Sequence, residues 1–190
     1  MSEFLKTQRL RLRSFLPEDL DAVYARRNDA PCAKFQRWTD TTQESIRAYL
    51  ARHREDVFLS EKDEQHYAIT DASGETVGEL AFFYNPEDRC VTLGITIAPK
   101  HQGQGLASEI LTAVIGRTRE AYPAMDIVAL IHPENRASIR LFEKLGFKLM
   151  GLVYVASQSV NFESGERERV PAFLLKKKGA QKRRGVNYGC

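Results

Sequence analysis

The sequence has no long apolar run, and no stretch approaches the roughly 20 residues that a helix needs to cross a bilayer. Its first eight residues also lack the apolar core of a secretory signal peptide. We therefore expect a protein that neither spans a membrane nor is secreted. The chain has 190 residues, of which 43% are hydrophobic and 28% charged. These values are typical of one soluble globular domain, or of one domain with a tail.

Cysteine is scarce as well. The three cysteines, Cys32, Cys90 and Cys190, stand far apart and form no Cys-x-x-Cys pair. This spacing indicates neither a zinc site nor a disulfide framework, so we expect no bound metal. An odd number of thiols favours a reducing compartment, most simply the cytoplasm.

Basic residues are concentrated at one end of the chain. Residues 176–190 contain six lysines and arginines and no acid, so the other 175 residues carry a net charge of −3, against +3 for the whole chain. The domain surface is therefore not basic, and we do not expect a nucleic-acid partner. Residues 177–190 are predicted to be a disordered basic tail. The alternative is a module that binds RNA or the ribosome through the charge of this tail.

Apolar periodicity predicts a mixed α/β domain over residues 8–176. Period-2 patterns and apolar runs predict strands at about 9–15, 66–70, 76–84, 90–98, 126–131, 147–156 and 168–175. Helical periods predict helices at about 17–27, 41–54, 104–121 and 135–145. The second helix begins with the spacing of a capping box, with Thr41 as the cap.

A glycine-containing segment joins the strand at 90–98 directly to the following helix. It contains Gln102, Gly103, Gln104 and Gly105. The two glycines allow a ligand to approach the backbone, and the start of a helix offers N–H groups and a partial positive charge, so the segment is suited to a phosphate or pyrophosphate. A P-loop would need Gly-Lys-Ser/Thr, and a dinucleotide fingerprint would need a glycine where Ser108 stands.

Two motifs carry a family resemblance. The pattern Gln-x-x-Gly-x-Ala that begins at Gln102 resembles the acetyl-CoA pyrophosphate motif of the GNAT superfamily of N-acetyltransferases. The segment from Asn135 to Phe147 resembles the Asn-x-x-(Ala/Ser)-x-x-Leu-(Tyr/Phe)-x-x-x-Gly-Phe element of the same superfamily. The opening residues 7–13, together with Ser138, look most like the Rim-type branch, which includes ribosomal-protein N-terminal acetyltransferases.

The resemblance implies a fold, a co-substrate and a reaction. The fold is a mixed, mostly antiparallel sheet of about seven strands with four flanking helices and splayed central strands. Acetyl-CoA donates an acetyl group to a primary amine, either a protein N-terminus or a small molecule such as a polyamine, amino acid or aminoglycoside. The active form is a monomer or a homodimer. The residues implied to bind the cofactor are Ile95, Thr96, Ile97, Gln102, Gly103, Gln104, Gly105, Leu106, Ala107 and Asn135.

The catalytic assignment departs from the family pattern at Phe142. Many relatives have a tyrosine there that protonates the leaving thiolate, whereas phenylalanine has no proton to give. Ser138, one helical turn earlier, is the substitute candidate, with a helix-packing role as the alternative. Glu79 is the candidate base, and its alternative is a solvated strand residue. The absence of the tyrosine also leaves open a catalytically silent acyl-CoA sensor.

Acceptor selection is assigned to two segments: the loop at residues 28–41, which follows the first helix, and the last hairpin, at about residues 155–169. Phe35 and Trp38 are the candidate substrate residues because their rings could form the walls of an acceptor slot. Core packing explains aromatic residues in such a loop equally well. The acceptor itself is not identified by these residues.

Overall fold

The computed structural model describes residues 3–36, 38–160 and 167–179, and it describes the backbone alone for residues 155–160 and 167–170. Eight strands are present: β1 (Glu3–Lys6), β2 (Leu10–Arg13), β3 (Glu64–Asp71), β4 (Thr76–Asn85), β5 (Cys90–Ile97), β6 (Asp126–Ile131), β7 (Lys148–Val160) and β8 (Arg167–Lys177). Five helices connect them: α1 (Leu20–Asn28), α2 (Ala30–Ala33), α3 (Gln43–His53), α4 (Leu106–Ala121) and α5 (Arg136–Lys144).

The eight strands form one sheet in the order β1-β2-β3-β4-β5-β6-β8-β7. Every neighbouring pair is antiparallel except β5 and β6, which run parallel. The predicted mixed, mostly antiparallel α/β class is confirmed, with one strand and one short helix more than expected. The strand β8 lies between β6 and β7, although β7 precedes it in the chain.

Helices cover both faces of the sheet, and the alternation of side chains along β3 shows how. Tyr67 and Ile69 belong to the larger core cluster, which includes the apolar stripe of α4 and the inner face of α5. Ala68 points the opposite way and belongs to a smaller cluster with residues of α1 and α3. Because successive strand residues alternate between faces, α4 and α5 cover one face, and α1 and α3 cover the other.

Two local predictions were wrong near the N-terminus. The helix predicted from Pro17 begins as a 3₁₀ turn, and α1 starts at Leu20. The cap of α3 is Thr42 rather than Thr41: the hydroxyl of Thr42 accepts from the backbone N–H of Ser45 at 3.1 Å, and the Thr42 backbone N–H donates to the Ser45 hydroxyl at 3.1 Å. In this capping box Ser45 has the role that Glu44 would have had in the box predicted from Thr41.

The sheet extends beyond both predicted limits of the domain, residues 8 and 176. Residues 3–6 form β1, which was too short to predict, and β8 continues to Lys177. The backbone N–H of Gly179 donates to a carboxylate oxygen of Asp126 at 2.8 Å. The rest of the predicted tail, residues 180–190, lies outside the described residues. Among the helices that the structure describes, none has the length and apolarity of a membrane span.

Candidate functional site

The parallel strands β5 and β6 pair for only part of their length. Within the described sheet, their register joins Cys90–Thr92 to Asp126–Val128, although β5 continues to Ile97 and β6 to Ile131. Beyond Thr92 the two strands separate, as predicted. A cavity of about 580 Å³ opens between them, a volume in the range of small-molecule and cofactor sites.

The N-terminus of α4 forms one end of this cavity. Gly103 and Gly105 have φ angles of +74° and +78°, the left-handed region that favours glycine. Gly105 caps the helix, and the first intrahelical bond runs from the Glu109 N–H to its carbonyl at 3.0 Å. The N–H groups of residues 106–108 therefore have no partner within the helix. These residues line the cavity, so its wall at this end is suited to an anion.

The side chain of Gln102 fixes the turn that leads into α4. Its amide nitrogen donates to the carbonyl of Ile97 at 2.8 Å, tying the turn to the end of β5. Gln104 behaves differently and does not line the cavity: its side chain donates to the Lys100 carbonyl at 3.3 Å, and its own carbonyl accepts from Arg9 at 3.0 Å. Gln104 therefore lies on the outer side of the turn.

Most of the predicted site residues meet at this cavity, and three do not. Gln104, Trp38 and Glu79 are outside its lining. The predicted residues that line it are Phe35, Ile95, Thr96, Ile97, Gln102, Gly103, Gly105, Leu106, Ala107, Asn135 and Ser138.

Asn135 and Ser138 meet at the start of α5. The side-chain oxygen of Asn135 accepts from the backbone N–H of Ser138 at 3.1 Å, so Asn135 is the helix cap. Ser138 lines the cavity within the first turn of the helix. One turn later, the buried ring of Phe142 packs edge-on against Phe147 with 5.0 Å between centroids. The α5 wall thus offers the Ser138 hydroxyl and no phenol.

Glu79 is buried in an ion-pair cluster on β4. Its carboxylate accepts from Arg26 at 2.8 Å and lies 3.7 Å from Arg27, and the side chain is only 6% exposed. Burial alone would raise the pKa of Glu79, but the charges of the two arginines lower it. The alternative of a solvated strand residue is therefore wrong. Nothing directs this carboxylate at the cavity, and a role for it as the base stays a prediction.

The wall opposite α5 comes from α2 and the residues after it. Phe35 lines the cavity and packs on His132, with 5.2 Å between ring centroids. Trp38 does not line it, because its ring lies over the guanidinium of Arg27, 5.3 Å from the guanidinium carbon. The Trp38 ring, which was predicted to form a wall of the acceptor slot, instead covers the buried guanidinium of Arg27.

Three lining residues on this wall, Pro31, Cys32 and Gln36, were not predicted from the sequence. Gln36 donates to the hydroxyl of Thr96 at 3.0 Å, which joins the wall to β5. Cys32 also lines the cavity, and burial raises the pKa of its thiol to about 11. The thiol is therefore protonated at pH 7 and is a poor nucleophile. The helix α2 has only four residues, and the segment that follows it is short. Neither has a periodic pattern that would identify these lining positions from the sequence.

Comparison with known proteins gives a consistent result. A family model described as an acetyltransferase (GNAT) domain matches residues 9–148. A Bacillus licheniformis protein named as an uncharacterized N-acetyltransferase, p20, is 28% identical over 152 residues, which cover 80% of this chain and 85% of the relative.

Solved structures share the fold at low sequence identity. A ribosomal-protein-S5-alanine acetyltransferase from Vibrio fischeri has a TM-score of 0.72 at 15% identity, covering 95% of this chain and 98% of that one. A spermidine N-acetyltransferase from Vibrio cholerae, solved with CoA and spermine, has a TM-score of 0.68 at 19% identity, covering 90% of this chain and 95% of that one. At these identities the likeness shows the fold alone.

Proposed function

The chain belongs to the GNAT acetyltransferase family and is an N-acetyltransferase, and from this premise we propose that it transfers an acetyl group from acetyl-CoA directly to a primary α-amine. One observation carries the proposal. The cavity opens where β5 and β6 separate, and the N-terminus of α4 closes one end of it.

The two walls of the opening match the two parts of the cofactor. The N–H groups at the start of α4 face the position of the pyrophosphate, and Gly103 and Gly105 remove the side chains that would block its approach. Beyond Thr92, no strand of the described sheet pairs with β5 on its β6 side, so its backbone groups are available to the amides of the pantetheine arm.

The reaction is attack of the neutral amine nitrogen on the thioester carbonyl carbon. The tetrahedral intermediate places negative charge on the carbonyl oxygen, and a backbone N–H of residues 95–97 is the donor suited to it. The C–S bond then breaks, the electron pair leaves with the CoA sulfur, and the amine proton is lost to water. Ser138 donates a hydrogen bond to the leaving thiolate. A covalent intermediate on Cys32 is disfavoured because its thiol is protonated.

The acceptor class follows from what lines the cavity. Among the described residues, no aspartate or glutamate contributes to the lining. An α-amine with a pKa near 8 is about 10% neutral at pH 7, whereas a lysine-type amine with a pKa near 10.4 is about 0.04% neutral. Because no carboxylate in the described lining is placed to take the ammonium proton, the α-amine, which is already partly neutral, is the favoured nucleophile. A polyamine would also find no counter-charge here, so a peptide N-terminus, as in the Rim-type branch, is the preferred acceptor.

The test is release of free CoA thiol from acetyl-CoA against a panel of amines. The panel contains peptides with a free N-terminus, free amino acids, polyamines and aminoglycosides. An Nα-blocked peptide with an internal lysine is the matched control, because it keeps the ε-amine and removes the α-amine. We expect turnover with the free peptide and none with the blocked one. Turnover only with polyamines or with the blocked peptide contradicts the α-amine proposal, and failure to bind acetyl-CoA contradicts the cofactor assignment.

A further inference from the structure

A second cluster of reactive side chains lies where the end of α3 packs on the start of β3. It consists of His53, Glu64 and His66, and one ligand atom from each lies within 4.8 Å of the others. The two imidazole rings are 4.5 Å apart between centroids. The Nε2 atom of His66 lies 2.8 Å from a carboxylate oxygen of Glu64. None of these residues lines the cavity described above.

A buried carboxylate fixes the orientation of His53. The Nδ1 atom of His53 lies 2.7 Å from a carboxylate oxygen of Asp56. The Asp56 carboxylate also accepts from the His66 backbone N–H at 2.8 Å and pairs with Lys62. A histidine that donates through Nδ1 to a carboxylate presents a lone pair at Nε2, the arrangement that second-layer carboxylates impose on metal-binding histidines. The atom that now faces Nε2 is Nε of Arg52, at 3.3 Å.

The remaining neighbours of the cluster are an aromatic ring and two exposed side chains. The ring of Tyr49 packs on both imidazoles, at 4.7 Å from His53 and 5.4 Å from His66. The Nδ1 atom of His66 is buried and has no hydrogen-bond partner in the part of the chain that the structure describes. The Arg52 side chain is 63% exposed and that of Glu64 is 50% exposed, so both can move without disturbing the core. The cluster is thus enclosed on one side and open to solvent at Glu64.

We propose that His53, Glu64 and His66 bind a divalent transition-metal ion of the Zn²⁺ class, with a fourth position open to solvent. Two imidazoles and one carboxylate are a set that suits zinc, whereas Mg²⁺ and Ca²⁺ prefer oxygen ligands alone. Tetrahedral zinc with bonds of about 2.0–2.1 Å separates its ligand atoms by roughly 3.3 Å. Binding of the ion therefore requires the longest of the three separations to shorten by roughly 1.5 Å through side-chain rotation.

The ion would lie away from the acetyl-transfer site and is independent of the proposed acceptor. His66 is the register partner of Ala81, and Ala81 is the partner of Gly94, which lines the cavity. Two strand spacings correspond to roughly 10 Å. A metal ion here would link the C-terminal end of α3 to β3 and would thereby stabilise the packing of this helix on the sheet.

The experiment titrates metal-free protein with ZnCl₂ by calorimetry and with CoCl₂ by visible absorption. We expect saturation at one equivalent, tetrahedral Co²⁺ absorption bands, and no saturable binding of Mg²⁺ or Ca²⁺. Glu64→Gln should weaken Zn²⁺ binding by about tenfold or more, the scale at which even outer partners of metal sites act. The nearby acid Glu55, whose side chain is 91% exposed, supplies the matched control Glu55→Gln, which should leave the affinity unchanged.

A gain-of-binding variant separates the proposal from loss of structure. Arg52→Ala removes both the group that occupies His53 Nε2 and a neighbouring positive charge, so Zn²⁺ should bind more tightly than to the wild type. No folding defect produces a tighter site. The proposal is overturned if Zn²⁺ shows no one-to-one saturation, or if its affinity is the same in Glu64→Gln, Arg52→Ala and the wild type.

Discussion

The guanidinium of Arg26 donates to the carboxylate of Glu79 over 2.8 Å, and neither side chain is more than 6% exposed. Arg27 adds a second buried cation 3.7 Å from the same carboxylate. Among the described residues, the Nε and Nη1 atoms of Arg26 find no hydrogen-bond partner. Glu79 thus neutralises the buried charges of two arginines. This structural role requires the carboxylate to remain ionised.

Replacing Glu79 by glutamine should lower the free energy of unfolding by about 3–5 kcal/mol, because it leaves buried guanidinium charge uncompensated. Chemical denaturation measures the change. Glu75→Gln is the control, since the exposed Glu75 pairs with Lys100 on the surface and should change the free energy of unfolding much less than Glu79→Gln does. Unchanged stability together with a low kcat and a shifted pH–rate profile would instead identify Glu79 as the base.

Replacing Gly103 by valine should weaken acetyl-CoA binding at least tenfold, because a side chain there meets the pyrophosphate. Gly74→Val is a close match. Gly74 has a φ of +92°, Gly103 has a φ of +74°, and neither has a neighbour within 4 Å of an added Cβ. Both variants carry the same backbone strain, but Gly74 lies in the β3–β4 hairpin. Equal loss of affinity in the two variants, measured by calorimetry, would place the pyrophosphate elsewhere.

Two substitutions at Asn135 separate its structural and binding roles. Alanine removes the cap of α5 and should cost about 0.5–2 kcal/mol of stability. Aspartate keeps an oxygen that accepts from the Ser138 N–H, while it replaces the amide donor by a second oxygen and adds a negative charge. If the amide binds the pantetheine arm, the KM for acetyl-CoA rises in both variants while stability falls only in Asn135→Ala. A normal KM in Asn135→Asp limits Asn135 to capping.

Removing the hydroxyl of Ser138 should lower kcat about tenfold, the effect expected from one hydrogen bond to a developing thiolate. The cap survives in Ser138→Ala because it uses the backbone N–H of residue 138. Adding Phe142→Tyr to this variant should restore part of kcat, since the ring of residue 142 borders the same cavity. Steady-state kinetics with a saturating peptide decides, and an unchanged kcat in Ser138→Ala would remove Ser138 from the reaction.

Acid should weaken the fold through Asp19. Burial would raise the pKa of this carboxyl, but hydrogen bonds from Arg13, Thr76 and the Leu16 backbone lower it below its ordinary value. Its contribution to stability is therefore complete above the unfolded pKa of about 3.9 and is lost as the pH falls through the lower folded value. The difference in unfolding free energy between the wild type and Asp19→Asn should shrink between pH 6 and pH 3. A difference independent of pH would contradict the assignment.

Features encoded by neighbours in the chain were predictable from the sequence. The apolar stripe of α4, the glycines before it and the run at β6 each produce a local pattern, and all three contribute residues to the cavity lining. The separation of β5 and β6 was predicted through the family resemblance, because no local pattern marks where two strands part.

Features created by distant residues were not predictable. Glu79 and Arg26 are 53 positions apart, and only the packing of α1 on β4 brings them together. The position of Trp38 over Arg27 depends on tertiary packing and cannot be seen in the sequence. The sequence alone therefore led to the assignment of Trp38 to the acceptor slot. The cluster of His53, Glu64 and His66 joins a helix to a strand across an intervening loop, so its spacing matches no metal motif.

The position of β8 between β6 and β7 has a consequence for the order of folding. Ile131, at the end of β6, pairs with Phe173, and Leu152 of β7 pairs with the same residue from the other side. Until β8 is in place, β6 has an unpaired apolar edge and β7 has no strand beside it, a state prone to association with other chains. The pairing of β6 with β8 joins residues that are distant in the chain, so we expect it to form after the hairpins of β3, β4 and β5.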